Sequence, residues 1–410
     1  MLGPLLRRTL HSPNRSHFRW VEKAISRCYS EISLKTRIEV CGPISVADYM
    51  KEVLTHPREG YYMHRDVFGT AGDFITSPEI SQLFGEMIAV WLLNEWQKIG
   101  SPKPFHLVEL GPGRGTMMKD ILRVLNKLKI GGDTVEVHLV EVSEELSKIQ
   151  ATNLCVDHQR TPQSRNDTFH QRGLTSEGIE VFWHHSCTLI PKEFSVVVAH
   201  EFFDALPIHK FQKTPNGWRE VLVDIDPKNP GRLRFVLSDK PTPASVLLVK
   251  KNEKKVQVEI SPLSGVIMGQ LAQHLEAYGG FALVADYGHS GDKGDTFRAF
   301  RKHQLHDPLI EPGSADLTAD VDFSFLKEAT KDSLISFGPV TQHDFLKALH
   351  IDVRLKKLLA TAPKKECDDL LSGYKMIMDE NGMGSAFKFM SFFPAVLKEV
   401  LEVYPPSGFQ

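Results

Sequence analysis

Three glycines at alternate positions, Gly111, Gly113 and Gly115, follow the apolar run Leu107-Val108-Glu109-Leu110. Periodic apolar residues come next: Met117, Met118, Ile121, Leu122 and Leu125. That order reads as strand, tight turn and helix, with main-chain N–H groups turned toward a small ligand. Glycine is required where the backbone takes φ > 0 or where a ligand approaches the main chain closely. Pro112 lies inside the turn, and Thr116 stands where a dinucleotide fold has its third glycine. This departure favours S-adenosylmethionine over NAD.

A second acidic residue supports a nucleoside ligand. Thr134 to Val140 alternates apolar and polar residues and stops at Glu141 and Val142. A carboxylate at the tip of a second strand is placed to accept hydrogen bonds from both ribose hydroxyls. The plainer reading makes Glu141 a favourable charge at a helix N-terminus.

The segment His200-Glu201-Phe202-Phe203-Asp204-Ala205-Leu206-Pro207 follows the β-branched run Val196-Val197-Val198. It superficially matches the His-Glu-x-x-His zinc motif. The fifth residue is Asp204, however, and the segment ends a strand, so the two-histidine helix face is missing and no metal is expected. Two carboxylates beside two aromatics suit a cation: carboxylates grip a guanidinium in fork geometry, and ring faces attract positive charge. Alternatively, Asp204 caps a helix and one phenylalanine is core. A further strand tip, Asp286-Tyr287-Gly288-His289, either lines an acceptor pocket or forms a turn satisfied by its own side chains. His184-His185-Ser186-Cys187 lacks a second ligand pair and reads as loop near the nucleoside. Lys250 to Lys255 reads as a solvated hairpin tip.

The 410 residues carry a net charge of −2, with 41% hydrophobic and 24% charged residues, so no global field favours nucleic acid. No run of 18 apolar residues is present, and no membrane span is expected. Five scattered cysteines without a Cys-x-x-Cys pair suit a reducing compartment. Residues 1–30 hold Arg7, Arg8, Arg15, Arg19, Lys23 and Arg27 against Glu22 alone. This is the composition of a mitochondrial import peptide, with cleavage expected after Tyr29 and residence in the matrix.

The elements that must position these groups alternate. Strands are expected at 105–110, 134–140, 179–183, 194–199 and 281–285, with helices at 116–128 and 144–153 and a polar loop at 157–178. Such alternation implies α/β architecture, a parallel Rossmann-like sheet covered by helices. Residues 36–100 read as an N-terminal helical cap, including a helix at 45–54 and a longer one opened by Ser77 as N-cap and Pro78. Segments 218–225, 232–237 and 256–260 read as antiparallel strands within a 207–260 insertion, a possible docking surface. The core is then 101–206 and 261–410. Helices are expected after residue 323, up to a last strand at 386–392.

Together, GPGRGT, GDFITSPEISQLFGE, HEFFDALP, VADYGH and DLTADVDF resemble the MidA family of methyltransferases over residues 42–392, most closely its mitochondrial branch. The resemblance implies a class I S-adenosylmethionine-dependent fold and protein arginine methylation. It further implies symmetric dimethylation of an arginine in a core subunit of respiratory complex I. His200 departs from the asparagine frequent in bacterial relatives. The expected cofactor site comprises Phe74, Thr76, Glu109, Gly111, Pro112, Gly113, Gly115, Thr116, Glu141 and Val142. Within it, Glu109 recognises the donor's amino group and Glu141 the ribose. Glu201, then Asp204, are the expected catalytic acids, and Phe202, Phe203, Asp286, Tyr287 and His289 the acceptor contacts. Two other readings remain open: a non-catalytic S-adenosylmethionine-binding assembly chaperone, or a methyltransferase for a different acceptor.

Overall fold

Seven strands of a ten-stranded sheet position the site: β1 (Phe105–Leu110), β2 (Val135–Val140), β3 (Glu180–His184), β4 (Ser195–His200), β5 (Gly280–His289), β6 (Leu334–Thr341) and β7 (Phe387–Pro394). Their order is β6-β7-β5-β4-β1-β2-β3, and β7 runs antiparallel to both its neighbours. The computed structural model describes residues 33–63, 75–160 and 168–409. The import peptide expected at residues 1–30 therefore lies outside the described residues.

Both sheet faces are apolar, which is why these strands read as continuous hydrophobic runs. Leu107, Val137, Leu139, Val196, Val198, Phe281 and Leu283 face the helices α1 (Gln82–Lys98), α2 (Thr116–Lys127) and α3 (Glu144–Leu154). Val108, Leu110, Val140, Val197, Ala199, Ala282 and Val284 face α4 (Pro262–Tyr278).

Several sequence expectations need correction. The helix expected from residue 78 is broken at Ser81, whose φ of −156° and ψ of 129° are extended. Ser81 Oγ accepts the Leu83 N–H and caps α1, whereas Ser77 lies inside a separate turn, Ser77–Ile80, and caps nothing. The loop expected at 157–178 contains a hairpin, Asp157–Arg160 with Gln171–Leu174, which extends the sheet beyond β3. Its first strand is exposed throughout, so no apolar alternation marks it. β6 interrupts the helical region after residue 323. Its register shifts between Phe337 and Val340, around Gly338-Pro339, a pair that reads as a breaker in sequence.

The insertion is an antiparallel sheet of His209–Thr214, Gly217–Asp226, Asn229–Leu237 and Gln257–Ile260, and Ile44–Ser45 joins it. A short sheet of Arg298–Arg301, Gln304–His306 and Asp316–Thr318 adds a wall that the sequence reading missed. The helix Val46–Thr55 is fastened to this region by Tyr49, whose hydroxyl donates to the Pro308 carbonyl at 2.5 Å. From Pro43 onward, the cap residues, the core and the insertion belong to one compact unit, Pro43–Gln410. Before it, Leu34–Cys41 is a helix capped by Ser33.

Candidate functional site

All three turn glycines lie at positive φ: Gly111 at 64°, Gly113 at 55° and Gly115 at 79°. L-residues reach this region only with strain, so the backbone itself explains the glycines. Gly111 has a second reason, because a Cβ there would sit 2.8 Å from Phe202 Cδ2. Gly115 caps α2 without a side-chain hydrogen bond, leaving first-turn N–H groups of that helix for a ligand.

Glu109 ends its strand side chain in the interior, 3% exposed, and its Oε2 has no partner among the described residues. Burial alone pushes its carboxyl up to about 8. Glu141 is also buried, and its pKa rises to about 7, again through burial, opposed by its hydrogen bonds. Its Oε1 accepts the Ser143 N–H at 2.7 Å, which satisfies part of the helix-terminus reading. Its Oε2 accepts from Gln150 Nε2 at 3.1 Å. Gln150 also donates to the Gly113 carbonyl at 2.7 Å and accepts from Trp183 Nε1 at 2.8 Å. This residue of α3 ties Glu141 to the glycine turn, a role with no signature in the sequence.

At the tip of β4, Glu201 takes φ +49°, a strained conformation for a non-glycine residue. Its Oε1 lies 3.3 Å from His200 Nε2 and accepts the Ser77 N–H at 3.4 Å. His200 is neutral, its pKa lowered to about 3 by burial. Burial, with Asp204 nearby, pushes Glu201 well above the carboxylate range. Asp204 accepts from the Thr318 hydroxyl at 2.8 Å, and burial raises it to about 6.

Asp286 does something other than expected. It is fully buried, and its Oδ2 accepts the consecutive N–H groups of Phe202 (3.1 Å), Phe203 (2.9 Å) and Asp204 (3.3 Å). It shapes the acid loop and does not face the cavity. His289 likewise turns away, its Nδ1 accepting the Gly291 N–H at 3.0 Å, and Phe203 is core. Residues 286–289 thus belong to β5 and form no turn of their own, and of the four only Tyr287 reaches the cavity.

One cavity of about 1080 Å³ joins these groups. One side of it is walled by Glu109, Gly111, Pro112, Gly113, Thr116, Glu141 and Val142, and His185 and Cys187 also line the cavity. Glu201, Phe202, Asp204 and Tyr287 line it as well, and Thr76 joins the wall. Gly115 caps the helix behind the wall, and Phe74 lies outside the described residues. His184 is not loop: it ends β3, buried.

The sequence reading missed three further wall residues, Tyr62, Arg298 and Asp316. Tyr62 donates to Asp316 at 2.6 Å. Arg298 pairs with Asp320 at 2.7 Å, its Cζ 5.8 Å from the Tyr287 ring centroid. Asp316 and Asp320 lie in DLTADVDF, so the signal was present as a motif but not as a role.

A sheet of this strand order, a glycine turn after β1 and an acid after β2 define a class I methyltransferase. The unpaired Glu109 oxygen, the uncapped first turn of α2 and Glu141 fit the amino, carboxylate and ribose groups of S-adenosylmethionine. Comparison agrees with this reading. The profile of a family of S-adenosyl-L-methionine-dependent methyltransferases matches residues 87–340. The chain is 51% identical over 360 residues to "Protein arginine methyltransferase NDUFAF7, mitochondrial" of Danio rerio, covering 87% of this chain and 85% of that one. With the Homo sapiens protein of the same name it is 50% identical over 366 residues, covering 88% and 82%. A methyl transferase candidate from Burkholderia thailandensis, crystallised with S-adenosyl-homocysteine, has the same fold: TM-score 0.71 and 24% identity, over 94% of this chain and 95% of that one.

The chain belongs to this S-adenosylmethionine-dependent methyltransferase family, and S-adenosylmethionine is its methyl donor. Kinship this close also makes it a mitochondrial protein. Among the described residues no helix is long and apolar enough to cross a membrane.

Proposed function

We propose that the chain methylates an arginine side chain of a protein substrate in the mitochondrial matrix, forming symmetric dimethylarginine in a core subunit of complex I. The names of its relatives and the family resemblance support the acceptor class. The single observation that carries the reading is the cavity itself, lined both by the donor groups and by the buried acids Glu201 and Asp204.

S-adenosylmethionine supplies an electrophilic methyl group on a sulfonium. A guanidinium is protonated near neutrality, so its attacking nitrogen becomes nucleophilic only when the charge is drawn elsewhere. Glu201 holds the nitrogens that do not react and localises the charge on them. Tyr287 offers a ring face to the same group, as it already does to Arg298. As the N–C bond forms and the C–S bond breaks, one N–H proton is released. Asp204, held near 6, is matched to receive it. Alignment of nitrogen and methyl at about 3–3.5 Å supplies much of the rate.

The test incubates the full chain with donor and an arginine-containing partner subunit and reads intact mass. The expected result is a 28 Da gain, roughly two methyl groups by composition, lost in Glu201→Gln while S-adenosylhomocysteine binding persists. Full methylation by Glu201→Gln, or no gain with the unaltered chain, refutes the assignment.

A further inference from the structure

A histidine cluster lies on the α4-facing side of the sheet, toward the strand ends opposite the cofactor cavity. His106 of β1 pairs in register with Glu136 of β2, and His138 follows two residues on, so all three project from one face. Their ligand atoms lie within 4.8 Å of one another. His106 Nε2 and His138 Nε2 are each 3.7 Å from Glu136 Oε2. Both rings are deeply buried, His106 4% and His138 1% exposed, in positions where a parallel sheet normally carries aliphatic residues. Glu136 is partly exposed and opens the cluster to solvent.

Proton positions follow from a chain of contacts. His184 Nδ1 lies 2.8 Å from the Thr168 carbonyl, which can only accept, so this nitrogen carries the proton. His184 Nε2 is then a lone pair, and it lies 3.0 Å from His138 Nδ1, which must donate to it. His138 Nε2 is left as a lone pair. It is buried without a partner among the described residues, and it faces a carboxylate oxygen. Two acceptors face to face repel unless positive charge lies between them.

We propose that His106, Glu136 and His138 form a binding site for a divalent first-row metal ion of the zinc type. The donor set of two imidazoles and one carboxylate suits Zn²⁺, with a fourth position left to water. Ligands at Zn–N distances of about 2.0–2.1 Å in a tetrahedron are separated by roughly 3.3 Å, so the 3.7 Å spacings need to close only slightly. The His138–His184–Thr168 relay supplies the outer support that fixes the tautomer of a ligating histidine. The site fastens β1 to β2 from the end opposite the chemistry. Sequence spacing conceals it because the ligands come from two strands.

The test titrates the untagged full chain, stripped with chelator, with Co²⁺ and then Zn²⁺. The expected result is one equivalent of Co²⁺ with the intense visible absorption of a four-coordinate site, displaced by Zn²⁺. Glu136→Gln, at a partly exposed position, should abolish that band while leaving the S-adenosylhomocysteine thermal shift intact. His184→Phe should weaken Co²⁺ binding by about 10–100-fold. Absence of the band in the unaltered chain, or its persistence in Glu136→Gln, overturns the proposal.

Discussion

Glu109→Gln isolates the acid expected to read the donor's amino group. In the folded chain this carboxyl sits at about 8 against an ordinary value of 4.5, because burial penalises its charge. A raised carboxylate pKa means the folded state holds its proton more tightly than the unfolded state. Stability is therefore highest below 4.5 and falls as pH rises through the window up to about 8. At about 1.4 kcal/mol per unit, the loss between pH 5 and pH 8 comes to roughly 3–4 kcal/mol. Glutamine carries no such dependence. With an unfolding entropy of about 2 cal/mol/K per residue, that difference corresponds to some 4–5 °C in Tm. Differential scanning fluorimetry of both proteins at pH 5 and pH 8 should show the variant gaining this much on the parent as pH rises. The same variant should lose most of its S-adenosylhomocysteine stabilisation at pH 8, where the ionised acid meets the ammonium. A Tm gap that stays constant with pH, or an unaltered ligand shift, refutes the role assigned to Glu109.

Two other expectations follow from the same geometry. Binding of an arginine peptide needs ionised acids, and Asp204 lies near 6 with Glu201 higher, so affinity measured by calorimetry should strengthen as pH rises from 5 to 8. Below the Asp204 value the gain is up to about tenfold per unit, and a flat profile would contradict the acid-lined acceptor pocket. Gln150→Ala removes the donor shared by Glu141 and the Gly113 carbonyl and strands the buried Trp183 N–H. Stability should drop by about 1–3 kcal/mol in denaturant titration and donor affinity should fall with it; a change in stability alone would make Gln150 merely structural.

Local rules carried much of the fold. β1, α2, β2 and α3 fall where apolar periodicity and the glycine turn place them, because both sheet faces are buried and the pattern is therefore strong. The exposed strand Asp157–Arg160 and the bulged β6 escaped, since one lacks an apolar face and the other carries a Gly-Pro pair mid-strand. Of the site, the sequence determined which residues could serve a sulfonium nucleoside: the alternate glycines need positive φ whatever surrounds them, and Glu109 and Glu141 end adjacent strands. Only the tertiary structure decided that Asp286 braces the acid loop instead of facing the cavity, that Gln150 braces Glu141 and the glycine turn, and that Arg298 and Asp316 complete the walls. Backbone conformation is a local demand that a few residues express. Hydrogen-bond partnership and shared burial join positions more than 250 residues apart, and no spacing along the chain encodes them.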